Sequence, residues 1–176
     1  MKTAPACIIV FVKEPTPGKV KTRLAKHLGN EFAVELYKRF TADILETLIR
    51  AGYPIRICHS PPSAGRALTD WLGPGFDYFP QEGSDLGEKM ANAFISSFTA
   101  GFSRALLIGT DIPDLPLEFL NQAFSALMDS DAVVGPASDG GYYLIGFRAD
   151  TFFPAVFRQI PWSTVRVMDE TLDKFA

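Results

Sequence analysis

Residues 104–115 have the sequence RALLIGTDIPDL, and the rest of the chain is interpreted around them. Residues 105–108 form a short apolar run, which is typical of a buried parallel strand. The run ends at Gly109, and polar residues and prolines follow, so Asp111 is predicted to lie just beyond the carboxyl end of a central strand. Ligands bind at this edge in open α/β sheets. Asp111 can therefore hold Mg²⁺ or a sugar hydroxyl, or it can simply end the strand and cap the next turn.

The composition predicts an ordinary globular protein with a single domain over residues 1–176. Hydrophobic residues make up 47% and charged residues 21% of the chain, and the formal net charge is −3. A nucleic-acid binder or a membrane-surface binder would need a basic excess, so neither is expected. No apolar stretch approaches the length of a membrane span, and no signal peptide is visible, which predicts a cytoplasmic protein. Cys7 and Cys58 lie in apolar runs and are predicted to be buried free thiols, since their spacing does not fit a zinc site.

Strands and helices are predicted to alternate along the chain. The apolar runs that predict strands are residues 7–12, 55–59, 76–79, 105–108, 132–136 and 142–147. The helices are predicted over residues 22–28, 31–51, 64–72, a segment after Asp85, 119–128, 152–157 and 164–175. This alternation is typical of a three-layer α/β domain with a largely parallel sheet.

Two helices carry apolar residues at fourfold spacing. The helix over residues 31–51 is predicted to bury one face against the sheet and to be capped by Asn30. The helix after Asp85 is predicted to start with a capping box of Asp85 and Glu88. The residues predicted to be buried are Phe32, Leu36, Phe40, Ile44 and Leu48 in the first helix, widened by Ala33, Leu45 and Ile49, and Leu86, Met90, Phe94 and Phe98 in the second.

The loop after the first strand is strongly cationic for an acidic protein. One acid, Glu14, is found among five cations, which are Lys13, Lys19, Lys21, Arg23 and Lys26. Such a loop suits a polyphosphate, and the backbone at Gly18 allows close approach. The alternative is a solvated run of charges. The loop does not match the Walker A motif or the G-x-G-x-x-G motif, which argues against those two modes of phosphate binding.

A second and a third loop are predicted to reach the same sheet edge. Residues 135–146 read GPASDGGYYLIG, and Asp139 would lie near Asp111 if the preceding strand is parallel. Two carboxylates there could share one Mg²⁺, or Asp139 could hold a sugar hydroxyl. The alternative is a β-turn with a local bond from the Asp139 side chain. Residues 81–90 form the third loop, while Trp162 either stacks on a base or sugar or covers the core.

Five ordered motifs together resemble a known family. They are VFVKEPTPGKVKTRL (10–24), QEGSDLGEKM (81–90), LLIGTDIPDL (106–115), VVGPASDGGYYLIGF (133–147) and IPWST (160–164). They resemble a bacterial family of uncharacterised glycosyltransferase-A-like proteins in the nucleotide-diphospho-sugar transferase superfamily. The resemblance implies a GT-A fold, a Rossmann-like α/β/α sandwich that binds a nucleotide or nucleotide-sugar together with Mg²⁺ or Mn²⁺.

The resemblance also implies roles for particular residues. Those at the nucleotide would be Lys13, Pro17, Gly18, Lys21, Arg23, Gly83, Asp85 and Gly87. Those on the side of the acceptor or sugar would be Asp139, Gly140, Gly141 and Trp162. Asp111 and Asp139 would bind the metal, and Lys21, Asp111 and Asp139 would be catalytic.

The expected function is metal-dependent glycosyl or nucleotidyl transfer from a nucleotide or nucleotide-sugar to a small-molecule acceptor. The alternative is a non-catalytic nucleotide-binding regulatory module, and the oligomeric state is left open. Asp111 is followed by Ile112 and Pro113 rather than by the partner of a D-x-D pair, which favours nucleotidyl transfer. Relatives continue past the last helix into an acidic motif, so the resemblance implies a C-terminus truncated at Ala176 and a second metal ligand beyond it.

Overall fold

Six strands form one sheet in a computed structural model of the chain, which describes residues 5–175. They are β1 (Ala6–Lys13), β2 (Ile55–Ser60), β3 (Asp77–Pro80), β4 (Arg104–Ile108), β5 (Ala132–Pro136) and β6 (Tyr142–Arg148). The helices are α1 (Thr22–Leu28), α2 (Asn30–Ala51), α3 (Gly65–Leu72), α4 (Leu86–Thr99), α5 (Leu117–Ala126) and α6 (Val167–Leu172). Short 3₁₀ helices cover Pro62–Ala64, Pro154–Phe157 and Asp173–Phe175, so the predicted helices at 152–157 and 164–175 are shorter than expected.

The sheet is mostly parallel, with strand order β3-β2-β1-β4-β6-β5. The first four of these strands are parallel to one another. Strand β6 is antiparallel to both β4 and β5, so β5 runs in the same direction as β4. The predicted α/β class with a largely parallel sheet is therefore confirmed.

Helices cover both faces of the sheet. In β1, Ile8, Val10 and Val12 point to one face and Cys7 and Ile9 to the other, which is the period of two that a strand imposes. The first face packs against α2, α3 and α5. The second packs against α4 and the 3₁₀ helix at Pro154–Phe157. Both faces of β1 are buried, which explains why its sequence is continuously apolar.

The predicted buried stripe of α2 is confirmed at Ala33, Ile44, Leu45 and Leu48 and is wrong at Phe32 and Ile49. The buried residues of α2 are Ala33, Val34, Tyr37, Thr41, Ile44, Leu45 and Leu48, whereas Phe32 and Ile49 are 56% and 59% exposed. A fourfold spacing advances about 40° per step around a helix with 3.6 residues per turn, so a long fourfold series leaves the buried face. The prediction that Asn30 caps α2 is also wrong, because Asn30 is the first helical residue and Gly29 occupies the cap without a side-chain bond.

Helix α4 begins with the predicted cap. The Asp85 carboxylate accepts a hydrogen bond of 2.8 Å from the Glu88 N–H. The Glu88 carboxylate accepts bonds from the N–H and the hydroxyl of Ser84, and these bonds lower the pKa of Glu88. The reciprocal bond of the capping box is thus displaced by one residue. Leu86, the first residue of α4, is 42% exposed, so the prediction that it is buried is wrong.

The two thiols are free and buried, as the sequence predicts. Burial raises the pKa of both Cys7 and Cys58 to about 12, mainly because the thiolate would lose its hydration. Within residues 5–175, no helix combines the length and the apolar content that crossing a membrane requires.

We expect neither thiol of the folded protein to react with dithiodipyridine at pH 8, because the thiolate is the nucleophile and burial keeps both groups protonated and covered. Both should react once guanidinium chloride unfolds the chain. The absorbance of the released thiopyridone measures the two states. Rapid reaction of one thiol in the folded chain would contradict the assigned burial.

Candidate functional site

The strand order creates a crevice between the carboxyl ends of β1 and β4. The chain leaves β1 through α1 and α2 toward β2, and it later crosses to the other side of β1 to enter β4. Adjacent loops diverge at such a switch point, and open α/β sheets bind ligands there. The diverging loops are residues 14–21 after β1 and residues 109–116 after β4.

Lys21 and Asp111 meet across this crevice. The Lys21 Nζ lies 2.8 Å from Asp111 Oδ1, and the two side chains are 16% and 76% exposed. The same Nζ lies 4.7 Å from the centre of the Phe40 ring, a distance at which a cation is attracted to the ring face. The structure therefore brings together two residues that the sequence identified separately, one for phosphate and one for metal.

The backbone of Lys21 is left-handed, with φ 45° and ψ 43°. This conformation costs a residue other than glycine about 1–2 kcal/mol. It is held by the burial of the preceding side chain, because Val20 is 3% exposed and packs with Val34 and Tyr37. The ammonium group is thus directed by the fold and does not depend on a freely moving loop.

Tyr37 anchors the other end of the cationic loop. Its hydroxyl accepts a 2.8 Å bond from the Lys13 N–H and lies 3.1 Å from the Lys13 carbonyl oxygen, to which it donates. Burial raises the pKa of Tyr37. Between the anchors, the Lys19 N–H donates to the Thr16 carbonyl, while Gly18 has φ 75°. Lys13, Pro17, Gly18 and Arg23 are exposed, so their predicted contacts with phosphate are sterically accessible.

Replacing Tyr37 by Phe should lower the free energy of unfolding by about 1–3 kcal/mol, because the hydroxyl of the buried Tyr37 makes two part-buried hydrogen bonds to the backbone of Lys13 that Phe cannot make. Urea denaturation measures the change. Tyr53→Phe is the matched control, since its hydroxyl makes no hydrogen bond to residues 5–175, and its effect should be within about 0.5 kcal/mol. Equal losses in the two variants would contradict the anchoring role.

The turn after β5 lies at the same sheet edge, because β5 runs in the direction of β4. Asp139 Oδ1 accepts a 3.0 Å bond from the Gly141 N–H, so the local turn predicted as the alternative is present. The side chain is exposed, which leaves Oδ2 accessible. Strand β6 separates β4 from β5, so the axes of these two strands lie about 10 Å apart. Asp139 is therefore placed beside the crevice and not inside the contact between Lys21 and Asp111.

Residues 157–168 form a strap that joins two of the predicted loops. At one end, a Cβ on Gly87 would overlap the Phe157 carbonyl oxygen and lie 3.1 Å from the Trp162 ring. At the other end, a Cβ on Gly140 would lie 2.6 Å from the Val165 Cα, and the Met168 N–H donates to the Gly140 carbonyl. Gly87 and Gly140 are thus required by packing against the strap, whatever they do for a ligand.

Trp162 and Gly83 also have structural contacts. Trp162 is partly buried against the core face that contains Phe94 and Phe157, which agrees with its alternative as a core cover. Gly83 has φ 135°, and a Cβ there would lie 2.7 Å from the Glu88 Cβ. Stacking of Trp162 and contacts of Gly83, Asp85 and Gly87 with a nucleotide stay predictions.

Sequence reasoning missed Tyr37, Phe40 as a partner of Lys21, Val20 and the strap. The burial of Val20 is weakly indicated by the sequence, because Val20 is a lone apolar residue between two lysines. No local pattern indicates the strap, since its contacts join segments that are far apart in the chain.

A cavity of about 580 Å³ lies at the opposite edge of the sheet. It is lined by residues that include Tyr53, Arg104, Phe124 and Met128, at the amino ends of β1 and β4. The length of β1 separates it from the Lys21–Asp111 contact by about 25 Å. The chemistry of the residues and the strand order favour the carboxyl edge as the functional site.

Comparison with known proteins identifies relatives of the chain. The family described as an uncharacterized protein conserved in bacteria (DUF2064) matches residues 44–164. A protein of Desulfovibrio desulfuricans G20, provisionally described as a nucleotide-diphospho-sugar transferase, has 44% sequence identity and a TM-score of 0.93. The match covers 98% of this chain and 76% of that chain. A search of curated proteins finds no match.

More distant structures share the fold. The 4-diphosphocytidyl-2C-methyl-D-erythritol synthase of Anaerococcus prevotii DSM 20548 has 13% identity and a TM-score of 0.62, over 98% of this chain and 84% of that chain. Rv0371c of Mycobacterium tuberculosis H37Rv, solved in complex with manganese, has 15% identity and a TM-score of 0.54, over 98% of this chain and 82% of that chain. At these identities the likeness shows the fold alone.

Proposed function

The chain belongs to the bacterial DUF2064 family, and we propose that it is a metal-dependent transferase acting on a nucleotide or a nucleotide-diphospho-sugar. One observation carries the proposal. A lysine ammonium and an exposed carboxylate face each other, with Nζ and Oδ1 2.8 Å apart, at the switch point of a mostly parallel sheet. A phosphate group and a divalent cation are the complementary partners of these two charges.

The donor set fits Mg²⁺ or Mn²⁺ brought in with the substrate. Residues 5–175 contain no group of three or more His, Cys, Asp or Glu side chains placed around a metal ion. Mg²⁺ usually keeps several waters and binds through one or two carboxylates together with substrate phosphates. Asp111, which is 76% exposed, suits such a site, with Asp139 as a second acid on the acceptor side.

The chain's own residues would bind and align the reactants. Lys21 and the exposed Arg23 would hold phosphate oxygens, and Gly18 would let the backbone approach them. Asp139 Oδ2 would orient a hydroxyl of the acceptor. A bound divalent ion supplies charge neutralisation at the departing phosphate oxygens. Together these groups would stabilise the negative charge that develops on the leaving group.

Nucleotidyl transfer is the form of the reaction that we favour. An acceptor phosphate oxygen would form a bond to the α-phosphorus of a nucleoside triphosphate, and the bond from that phosphorus to the bridging oxygen would break to release pyrophosphate. The lone Asp111, which lacks a partner two residues later, supports this form. The description of the Desulfovibrio relative supports glycosyl transfer, in which a nucleoside diphosphate leaves.

A screen of nucleoside triphosphates and UDP-glucose with Mn²⁺ tests the proposal on the full chain. A thermal shift reports binding, since a ligand at 100 times its Kd stabilises the folded state by about 2.7 kcal/mol. Release of pyrophosphate identifies nucleotidyl transfer, and release of nucleoside diphosphate identifies glycosyl transfer. Binding without any release would favour the non-catalytic module, and the absence of binding by all of these ligands would refute the proposal.

Lys21→Ala should weaken binding of CTP at least about tenfold and leave the affinity for cytidine unchanged, because only the phosphates contact the ammonium. Isothermal titration calorimetry measures both affinities. Lys26→Ala is the matched control, since it removes an exposed cation from α1 outside the predicted contact set. If Lys21→Ala weakened CTP and cytidine equally, Lys21 would have a structural role only.

A further inference from the structure

We propose that Lys21 competes with the divalent cation for Asp111, so that the metal ion binds well only together with nucleotide phosphates. The inference rests on the proposed function and specifies the order in which that site is filled. In the structure the Lys21 ammonium already neutralises the carboxylate that would bind the metal. The site thus contains an internal cation that must move before an external one can enter.

The distances make joint occupancy unfavourable. The Lys21 Nζ is 2.8 Å from Asp111 Oδ1, and a metal ion on either carboxylate oxygen would lie about 2.0–2.1 Å from that oxygen. Two cations would then be about 4–7 Å apart. Even in bulk water, a divalent and a monovalent charge at that distance repel by about 1–2 kcal/mol, and the repulsion grows where water is excluded.

Lys21 is also held in place and does not swing freely in solvent. Its side chain is 16% exposed, its ammonium lies against the Phe40 ring, and the buried Val20 fixes its backbone. Asp111 is the carboxylate that the fold pairs with this partly buried ammonium. Phosphate oxygens can replace Asp111 in this role, which would free the carboxylate for the metal.

The consequence is mutual reinforcement between the two ligands. Phosphates that draw Lys21 away raise the affinity of Asp111 for the metal, and by linkage the metal raises the affinity for phosphates by the same factor. Removing the ammonium should therefore have opposite effects on the two ligands. The metal alone should bind more tightly, whereas the nucleotide should bind more weakly.

The test measures binding of Mn²⁺ alone to the full chain, from the electron paramagnetic resonance signal of free Mn²⁺. Lys21→Met keeps an unbranched apolar stem of similar length without the ammonium group, and it should tighten the Kd for Mn²⁺ about tenfold. Lys26→Met makes the same charge change on α1 and should leave the Kd within about twofold. Adding Asp111→Asn to Lys21→Met should abolish the gain, which locates the gained ion at Asp111.

An unchanged Kd for Mn²⁺ in Lys21→Met would overturn the inference, as would a gain that survives Asp111→Asn. Lys21→Gln provides a second neutral variant if circular dichroism shows that Lys21→Met is not folded. The assay contains no nucleotide, so it is independent of the proposed function. Failure of every nucleoside triphosphate and of UDP-glucose to bind would refute the proposed function, while a tenfold gain for Mn²⁺ alone would still support the competition.

Discussion

Asp111→Asn is expected to lower metal-dependent turnover, or metal-dependent binding if the chain is a binding module, by about 100-fold or more. The amide keeps the shape of the side chain but loses the charge that a divalent cation requires. The fold should be retained, because Asp111 is 76% exposed and an ion pair with an exposed partner contributes only about 0–1 kcal/mol. Product release across a titration of Mn²⁺ measures the effect, and urea denaturation checks the fold.

Asp114→Asn is the matched control for this substitution. Asp114 is an exposed acid in the same loop, three residues further along the chain. Neutralising it should change turnover by less than about threefold, since a screened charge on the surface contributes little. Unchanged metal dependence in Asp111→Asn would eliminate Asp111 as a metal ligand, and equal losses in both variants would indicate a general electrostatic effect of the loop.

Gly140→Ala is expected to have the largest effect on stability, with a loss of about 3 kcal/mol in the free energy of unfolding. Gly140 has φ 85°, which strains any other residue, and its Cβ would lie 2.6 Å from the Val165 Cα. The strap would have to move away from the turn that contains Asp139. Chemical denaturation measures the loss, and the affinity for the acceptor should fall with it.

Gly52→Ala is the control that separates the cost of backbone strain from the cost of steric overlap with Val165. Gly52 ends α2 with φ 75°, but no atom lies within 4 Å of its Cβ position. It should therefore lose only about 1 kcal/mol, which is the cost of the left-handed backbone. Losses of equal size at Gly52 and Gly140 would mean that the strap gives way easily and does not hold the turn.

The layers of the fold could be predicted because they depend on local patterns. Residues 7–12 are predicted as a buried strand from six apolar residues, and β1 spans Ala6–Lys13. The exact buried face of α2 could not be predicted by fourfold spacing, because that spacing drifts around the helix. Tyr37 shows the consequence, since its ring is buried and its hydroxyl bonds to the backbone of β1.

The candidate site could be predicted residue by residue but not as a set of contacts. Lys21 and Asp111 could be identified because each follows an apolar strand in a loop rich in proline or glycine. Their pairing depends on which strands are neighbours, and the local patterns that identify each strand do not specify the strand order. Gly87 and Gly140 illustrate the opposite case. Each lies in a conspicuous glycine-bearing loop, yet its packing partner in the strap is distant in the sequence. Phe157 is 70 residues from Gly87, and Val165 is 25 residues from Gly140.

The reversed direction of β6 divides the sheet edge into two parts that can change independently. The proposed nucleotide side is formed by the loops after β1 and β4. The first loop is held by the buried Val20 and Tyr37, and the second leads into α5, whose Leu120 lies in the core. The proposed acceptor side is the tip of a hairpin between β5 and β6, and a hairpin tip can be lengthened or reshaped without displacing either strand. Under the proposed function, substitutions at residues 137–141 would alter the acceptor side and leave the donor side unchanged.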